Sequence, residues 1–544
     1  MTEHSKGDFL NETANIIRST FETCTELSGA SPDGLRIVFS LFIVYPLAWF
    51  YRGFVHNKDS TVKHLFFTFC GISLGAYNFG YDVGHCIFTV LFSYVSMWVF
   101  GPTKINVLVS LVFQMGYLLM GYWVTNINTY DMTWTMPQCV LCLRLIGLSQ
   151  DIWDGTKDFD SLSESYKKTA LRTKPTLLEM FSFAFFPASF LVGPQFSMMR
   201  LKNFVSGKLE NNSKPTNIFA GSQRGLIGIV YLVAYQVGIA YLTEQYFLTE
   251  AFLESSFVLH KRPWRNFYTT RSCIKLNNKL FTSFYYFITG ACITFGIAYN
   301  GTSQDNKTLW NGCRNINLLV FEGTTKFGHY VEGFNVNTNT WAAQYVYKRL
   351  AFLGNRVISH ALTLLFLCVW HGFHSGYYMA FFMEFVTIFM EKDLENMMKY
   401  SERYANISQY KAFKVVSFIA LKLYANIFMG YAFVPFALFS FDKWWPVYKS
   451  LYFSGFIFFF PWSILYRRAM NLKNEIFFLL NGPQVRTLPI FYLIFHVSLR
   501  NKSSASYYEF PTKESGFFHY SVIPITIMKP LVLEFTLYSI VPFL

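Results

Sequence analysis

The chain has 544 residues, of which 52% are hydrophobic, 20% aromatic and only 14% charged, against about 25% charged in a typical globular domain. Too few polar side chains remain to coat a soluble protein of this size, and apolar runs approaching the roughly 20 residues that cross a bilayer core point to a polytopic all-α membrane protein. The excess of 46 Lys plus Arg over 32 Asp plus Glu, a formal charge of +14, reads as basic loops facing anionic lipid, with some cations available to an anionic cosubstrate and no nucleic acid required.

Residues 1–35 form a polar N-terminal segment with acids throughout and no apolar core, so no cleavable signal peptide is expected and the first hydrophobic segment does the targeting. Candidate spans follow near 37–55, 65–80, 86–101, 105–124, 224–247, 281–300, 357–390, 412–440 and 447–466, with two more near 476–499 and 519–541, about 11 or more in all. Two shorter apolar stretches, 134–149 and 177–193, are interrupted by polar residues and Gly-Pro. They are expected to be broken or re-entrant segments buried in protein around a central tunnel. The polar connections at 156–176, 198–223, 255–279, 302–330 and 391–411 are too poor in Gly, Ser and Pro to be domain linkers, which leaves one membrane domain. No internal repeat is visible, which weighs against a transporter built from inverted halves. Nine cysteines are sparse, and Cys139 and Cys142 have redox-like spacing but sit in an apolar context. Neither a disulfide framework nor a metal site is expected.

Chemistry concentrates between Glu332 and Glu384. Thr or Asn ahead of Trp341 can cap a short interfacial helix with Lys348 and Arg349 in its last turn and Gly354-Asn355 at its end. Asn335 then sits just before that helix. From Arg356 the chain is apolar to Trp370, and 15 helical steps carry His371 roughly 22 Å, into the hydrocarbon zone. Residues 357–390 would make one helix roughly 51 Å long, too long for a bilayer, so a break is expected at His371-Gly-Phe-His374-Ser-Gly376. On an intact helix 371, 374 and 375 share a face, and that face should meet a cavity. A neutral imidazole there can take a proton from a hydroxyl nucleophile, and an amide can orient a reactant or bond a developing oxyanion. The competing reading of His371 and His374 is as core histidines satisfied by neighbouring helices, and of Asn335 as an ordinary turn or cap residue.

The segments Trp134-Thr-Met-Pro-Gln-Cys-Val-Leu-Cys-Leu-Arg144, Phe190-Leu-Val-Gly-Pro-Gln-Phe-Ser-Met198, Gly296-Ile-Ala-Tyr-Asn-Gly301, Phe334-Asn-Val-Asn-Thr-Asn-Thr-Trp341 and Trp370-His-Gly-Phe-His-Ser-Gly-Tyr377 resemble the membrane-bound O-acyltransferases, most closely their lysophospholipid acyltransferase branch. The resemblance implies that His371 and Asn335, 36 residues apart, are the catalytic pair. It also implies transfer of a fatty acyl group from acyl-CoA to the free hydroxyl of a lysophospholipid, at sn-2 of lysophosphatidylcholine and related headgroups, in the endoplasmic reticulum membrane. Acyl-CoA is then a cosubstrate, with no cofactor needed, and a homodimer is compatible with this reading. It covers roughly 36–475 as the catalytic domain and fails over 476–544, an apolar extension that is either one or two further membrane segments or an error in the gene model.

His374, Trp341, Tyr299, Asn300 and Gln195 are candidates to line the substrate path, each with an ordinary alternative as turn, cap or aromatic belt. Lys348, Arg349 and Arg356 are candidates for the CoA phosphates, with positive-inside anchoring as the alternative. Two rival readings stay open. One keeps the family but changes the acceptor to a sterol, diacylglycerol or peptide; the other is a transporter, disfavoured by the shortage of paired intramembrane acids, with Asp82 and Glu384 the candidates.

Overall fold

The computed structural model describes residues 23, 25, 31–125, 132–209, 217–246, 263–399 and 401–462. The candidate spans 476–499 and 519–541 lie outside the described residues. Among the described residues the regular structure is helical, and β pairing is limited to the isolated bridges Thr302–Thr308 and Ile316–Phe334. Five stretches are long and apolar enough to cross a membrane: Pro32–Val55, Ser60–Phe100, Lys104–Thr125, Asn217–Gly238 and Lys411–Leu438. The chain is therefore a multi-pass helical membrane protein.

The first helix, α1 (Pro32–Phe50), starts where Ser31 Oγ accepts the Gly34 N–H at 3.1 Å, an N-cap one residue ahead of a proline that has no N–H to lose. Helices α2 (Ser60–Phe79) and α3 (Val83–Phe100) are joined by a single tight turn at Gly80–Asp82, and α4 (Lys104–Thr125) follows. Several polar side chains within these apolar helices pair across them. Asn78 Nδ2 donates to Ser40 Oγ at 2.7 Å, and Gln114 Nε2 donates to Ser93 Oγ at 2.9 Å, so the donor end of each amide is used inside the packing.

The stretch expected to be broken at 134–149 is instead one continuous helix, α5 (Thr135–Asp154). Seventeen of its twenty residues are buried, which makes it a core helix covered on all sides by protein. Pro137 lies in its first turn, where no intrahelical bond is lost. The second stretch does break. A two-turn helix α6 (Leu177–Ala184), closed by a reciprocal capping box between Thr176 and Glu179, gives way to buried non-helical chain up to α7 (Met198–Val205).

Next come α8 (Asn217–Tyr246) and α9 (Pro263–Phe295), the latter starting well before the expected 281. The short helices α10 (Phe327–Gly333) and α11 (Val336–Ala342) precede α12 (Arg356–His371), α13 (Ser375–Lys399), α14 (Lys411–Leu438) and α15 (Phe441–Ser450). The span expected over 447–466 is split, because α15 ends at Ser450 and Tyr452 and Phe453 take left-handed backbone before the short helix Ser454–Phe459.

The described parts of Met1–Arg349 and Leu362–Phe460 form one compact unit, and those of Leu350–Ala361 and Pro461–Leu544 another. In the second, Gly354 has φ +63° and Asn355 Oδ1 accepts the N–H groups of Val357 and Ile358 at 3.0 Å each. Asn355 thus caps the start of α12.

In the first unit one aromatic cluster gathers Tyr51, Phe67, Phe186, Phe204 and Phe295 with ring centroids 4.8–6.4 Å apart. A second core packs Leu143 and Ile146 of α5 against Trp341, Leu364, Leu367 and Trp370.

Arg144, on α5 and 2% exposed, holds the irregular segment after α6. It donates to the carbonyls of Phe183 (2.8 Å), Ala184 (3.2 Å), Ser189 (3.2 Å) and Pro194 (3.1 Å) and to Ser189 Oγ (3.1 Å). Its guanidinium also lies over the rings of Phe183 and Phe196 at 5.3 and 5.0 Å. A fixed planar fork is suited to such a cage of carbonyls that no helix or sheet satisfies. Arg144→Met should strip these acceptors of their donors and cost at least about 3 kcal/mol, since each unsatisfied buried group costs about 1–3 kcal/mol. The midpoint of thermal unfolding of detergent-purified protein checks this, and an unchanged midpoint would contradict the brace.

Candidate active site

The long apolar stretch breaks where expected. Helix α12 stops at His371, Gly372 takes φ +115°, a conformation open to a residue without Cβ, and α13 starts at Ser375. The break is tied on several sides. Tyr122 Oη on α4 donates to the Trp370 carbonyl at 3.3 Å, and Trp370 Nε1 donates to the Cys139 carbonyl on α5 at 3.0 Å. Gly376 N–H donates to the Phe439 carbonyl at 2.8 Å, and Trp444 Nε1 to Ser375 Oγ at 3.1 Å.

Because the helix is interrupted, His371 and His374 do not share a helical face as the uninterrupted pattern implied. Both pack instead on Tyr377, with ring centroids at 5.2 and 5.9 Å. The His371 ring is further framed by Trp370 (4.6 Å), Phe381 (5.5 Å) and Phe436 (5.2 Å), yet the residue remains only half-buried. Its ring nitrogens make no hydrogen bond among the described residues, so the reading of a core histidine satisfied by a neighbouring helix finds no partner there. His374 is half-buried against Phe439 at 5.4 Å.

Asn335 occupies the turn between α10 and α11 with φ +52°, a left-handed conformation that Asn tolerates better than most residues. The helix it precedes is packed on one face against protein. Trp341 and Tyr345 are 6% and 8% exposed, and Trp341 Nε1 would lie 2.9 Å from a Cβ added at Gly147, so α11 lies close against α5 at a residue without a side chain. After Ala342 the chain widens into a π-helical turn over Ala343–Tyr347 and tightens over Lys348–Leu353.

No hydrogen bond joins Asn335 to His371 among the described residues. Their neighbourhoods are linked by one aromatic run: Phe334 packs on Tyr330 (5.3 Å), Tyr330 on Phe433 (5.0 Å), Phe433 on Phe436 (6.5 Å), and Phe436 on His371.

A cavity of about 490 Å³ opens between α5, α7, α11 and the chain before α7. Two of the candidate substrate residues, Gln195 and Trp341, line it, together with Asn337. Gln195 is oriented by donating through Nε2 to the Val140 carbonyl at 2.9 Å. Tyr299 and Asn300 do not line it. Tyr299 is buried with its ring on Trp310 at 5.8 Å, and Asn300 is exposed, donating to Asn311 Oδ1 at 2.9 Å.

The cations at the cavity also differ from those singled out in the sequence: they are Arg144, Lys168 and Arg200, with Asp151 as a carboxylate held by both oxygens to Tyr345 Oη at 2.9 and 3.0 Å. Lys348 reaches Ser165 Oγ at 3.1 Å, and Arg356 opens α12 in the other unit. Arg349 makes a two-pronged ion pair with Asp154, with Nη1 to Oδ1 at 2.9 Å and Nη2 on Oδ2, and lies over Tyr166 at 4.2 Å. Lys168, Arg200 and Asp151 carried no sequence signal of their own, because only folding separates a loop cation from a cavity cation.

A family model described as MBOAT, membrane-bound O-acyltransferase family, matches residues 119–434. The chain is 38% identical over 474 residues to lysophospholipid acyltransferase 5 of Mus musculus, covering 84% of this chain and 95% of the relative. The lysophospholipid acyltransferase 5 proteins of Rattus norvegicus and Homo sapiens are likewise 38% identical, over 88% and 82% of this chain and 99% and 92% of their own lengths. The chain belongs to the membrane-bound O-acyltransferase family. In this acyltransferase the matched region takes in the buried helix α5, both Asn335 and His371, and all residues named at the cavity.

Since Asp154 is wholly buried, the Arg349 pair is part of how the acyltransferase holds together. Arg349→Ala should leave Asp154 with Lys157 alone and destabilise the protein by about 2–4 kcal/mol, the scale for removing one partner of a buried pair. Arg349→Ala combined with Asp154→Asn should recover much of the lost unfolding midpoint. An unchanged midpoint with weakened acyl-CoA binding would return Arg349 to a phosphate-binding role.

Proposed function

We propose that this enzyme transfers a fatty acyl group from acyl-CoA to the free hydroxyl of a lysophospholipid, with His371 as general base and Asn335 as the group that steadies the thioester carbonyl. The observation that carries the proposal is the half-buried His371, its ring nitrogens unbonded among the described residues, at a helix break held on both sides by other elements. A neutral ring with an available nitrogen can accept the proton of the lipid hydroxyl as its oxygen attacks the thioester carbon. The carbonyl electrons move to oxygen, the C–S bond breaks as they return, and the proton held by His371 goes to the departing thiolate. No acyl-enzyme is required.

The aromatic frame around His371 supports a dry reaction centre, where hydrogen bonds to developing charge are stronger than in water. The cavity beside α5 is the natural place for CoA. It combines Lys168 and Arg200, which suit phosphates, with amide and indole surfaces from Asn337 and Trp341. The same reading calls for a bundle of about 11 or more segments around a tunnel, in the endoplasmic reticulum membrane, with lysophosphatidylcholine and related headgroups as acceptors.

His371→Ala should lower turnover of acyl-CoA with lysophosphatidylcholine by about 100-fold or more while the purified protein keeps its elution profile. Asn335→Ala should lower it by roughly 10- to 1000-fold. Near-normal turnover in the first variant would refute the base. Lys168→Ala should raise the KM for acyl-CoA by about 3- to 10-fold with little change in kcat, because a phosphate contact distant from the thioester binds ground and transition states alike. An unchanged KM would move the phosphates elsewhere.

A further inference from the structure

Asn315 lies 20 residues before Asn335, outside every motif that the sequence suggests, and is 3% exposed. It brackets Asn335 with three hydrogen bonds. Its backbone carbonyl accepts the Val336 N–H at 2.9 Å, its Oδ1 accepts the Asn337 N–H at 3.0 Å, and its Nδ2 donates to Asn335 Oδ1 at 3.3 Å. Two of the orphan N–H groups at the start of α11 are thereby satisfied from a distant loop, since no side chain caps the helix at its own N-cap position.

These bonds settle which way two amides point. Oxygen and nitrogen of a carboxamide are interchangeable in shape, so their assignment must come from partners whose role is fixed. A backbone N–H can only donate, so the end of Asn315 that faces Asn337 N–H must be the oxygen. Its other end is then the NH2 group, which needs an acceptor, and Asn335 must present its oxygen there. The NH2 of Asn335 is left pointing the other way, not sealed in the packing and with no hydrogen bond among the described residues. The third asparagine of the motif, Asn339, acts on the backbone instead. Its Nδ2 donates to the carbonyls of Val331 and Phe334 at 2.8 and 3.0 Å and locks the turn between α10 and α11.

We propose that Asn315 is a positioning residue that consumes the acceptor end of Asn335, so that Asn335 meets substrate as a hydrogen-bond donor to the thioester carbonyl oxygen. The inference rests on the catalytic reading of Asn335 given above and adds its polarity and the residue that sets it. A donor at that point stabilises the oxygen as it gains negative charge, whereas an acceptor would oppose it.

The test is a set of kinetic constants for full-length purified enzyme with acyl-CoA and lysophosphatidylcholine in Asn315→Asp, Asn335→Ala, Asn335→Asp and the double variant Asn315→Asp/Asn335→Ala. Asn315→Asp keeps the acceptor for the Asn337 N–H but offers a carboxylate oxygen to Asn335, turning its NH2 inward. We expect kcat to fall about 10- to 100-fold with KM within about twofold. In the Asn335→Ala background the same change should cost less than about threefold, because residues that act through one another are not additive. Asn335→Asp, which matches Asn in shape but lacks the NH2 donor, should be at least as impaired as Asn335→Ala.

Multiplying effects in the double variant, or wild-type kcat in Asn315→Asp or Asn335→Asp, would overturn the inference. If Asn315→Asp does not yield folded protein, Asn315→Ala serves the same cycle, with an expected fall of about 3- to 30-fold that again vanishes without Asn335; a fall that persists there also overturns it. The two failures are separable: a fully active Asn335→Ala sinks the catalytic reading itself, while an impaired Asn335→Ala whose loss multiplies with that of Asn315→Asp sinks only the role of Asn315.

Discussion

The break between α12 and α13 is the constraint on which the site depends. A single helix over 357–390 would be too long for the bilayer, and Gly372 at φ +115° ends it one residue after His371. A helix end leaves backbone groups without intrahelical partners, and here neighbouring elements supply part of what is missing. Tyr122 takes the Trp370 carbonyl, and the Phe439 carbonyl takes the Gly376 N–H. The imidazole is thereby held through its backbone while its own nitrogens stay uncommitted among the described residues. A histidine in mid-helix would have a similar ring but would face one fixed direction among lipid or packed side chains.

Helix α5 is the second organising element. Buried on all sides, it draws on neighbouring elements to satisfy its polar residues, and three of them fasten different pieces of the site. Arg144 gathers the carbonyls of the irregular chain that carries Gln195, Asp151 bonds Tyr345, and Asp154 pairs with Arg349. The cavity lies along this helix because the chain packed against it is not regular and cannot close over it. Charges that look like surface anchors in a linear reading are in this way turned into internal struts.

Much of the architecture was visible in the linear chain. Hydropathy located the long apolar helices, and excess length over 357–390 located the break at His371. The motifs that carry the family resemblance marked Asn335 and His371. What failed did so for identifiable reasons. The polar residues of 134–149 suggested a broken segment, but several of them found partners in other elements, and Pro137 sits in the first turn, where proline breaks nothing. The amphipathic pattern around Trp341 did not say what its apolar face meets, because that pattern is the same whether the partner is lipid or α5 at Gly147. The ion pair of Arg349 with Asp154 was not legible either, because the two lie 195 residues apart.

Composition and periodicity alone determined the solvent of this protein, its helical class and the residues able to do acid-base chemistry, because those follow from the apolar content of local windows and from side-chain pKa ranges. Which cations border the cavity, that Asn337 among the three motif asparagines lines it, and which way the amide of Asn335 is turned were decided only by tertiary structure. A hydrogen bond has a direction, and for Asn335 that direction is set by Asn315, a residue of an unrelated loop whose place beside it no local pattern encodes.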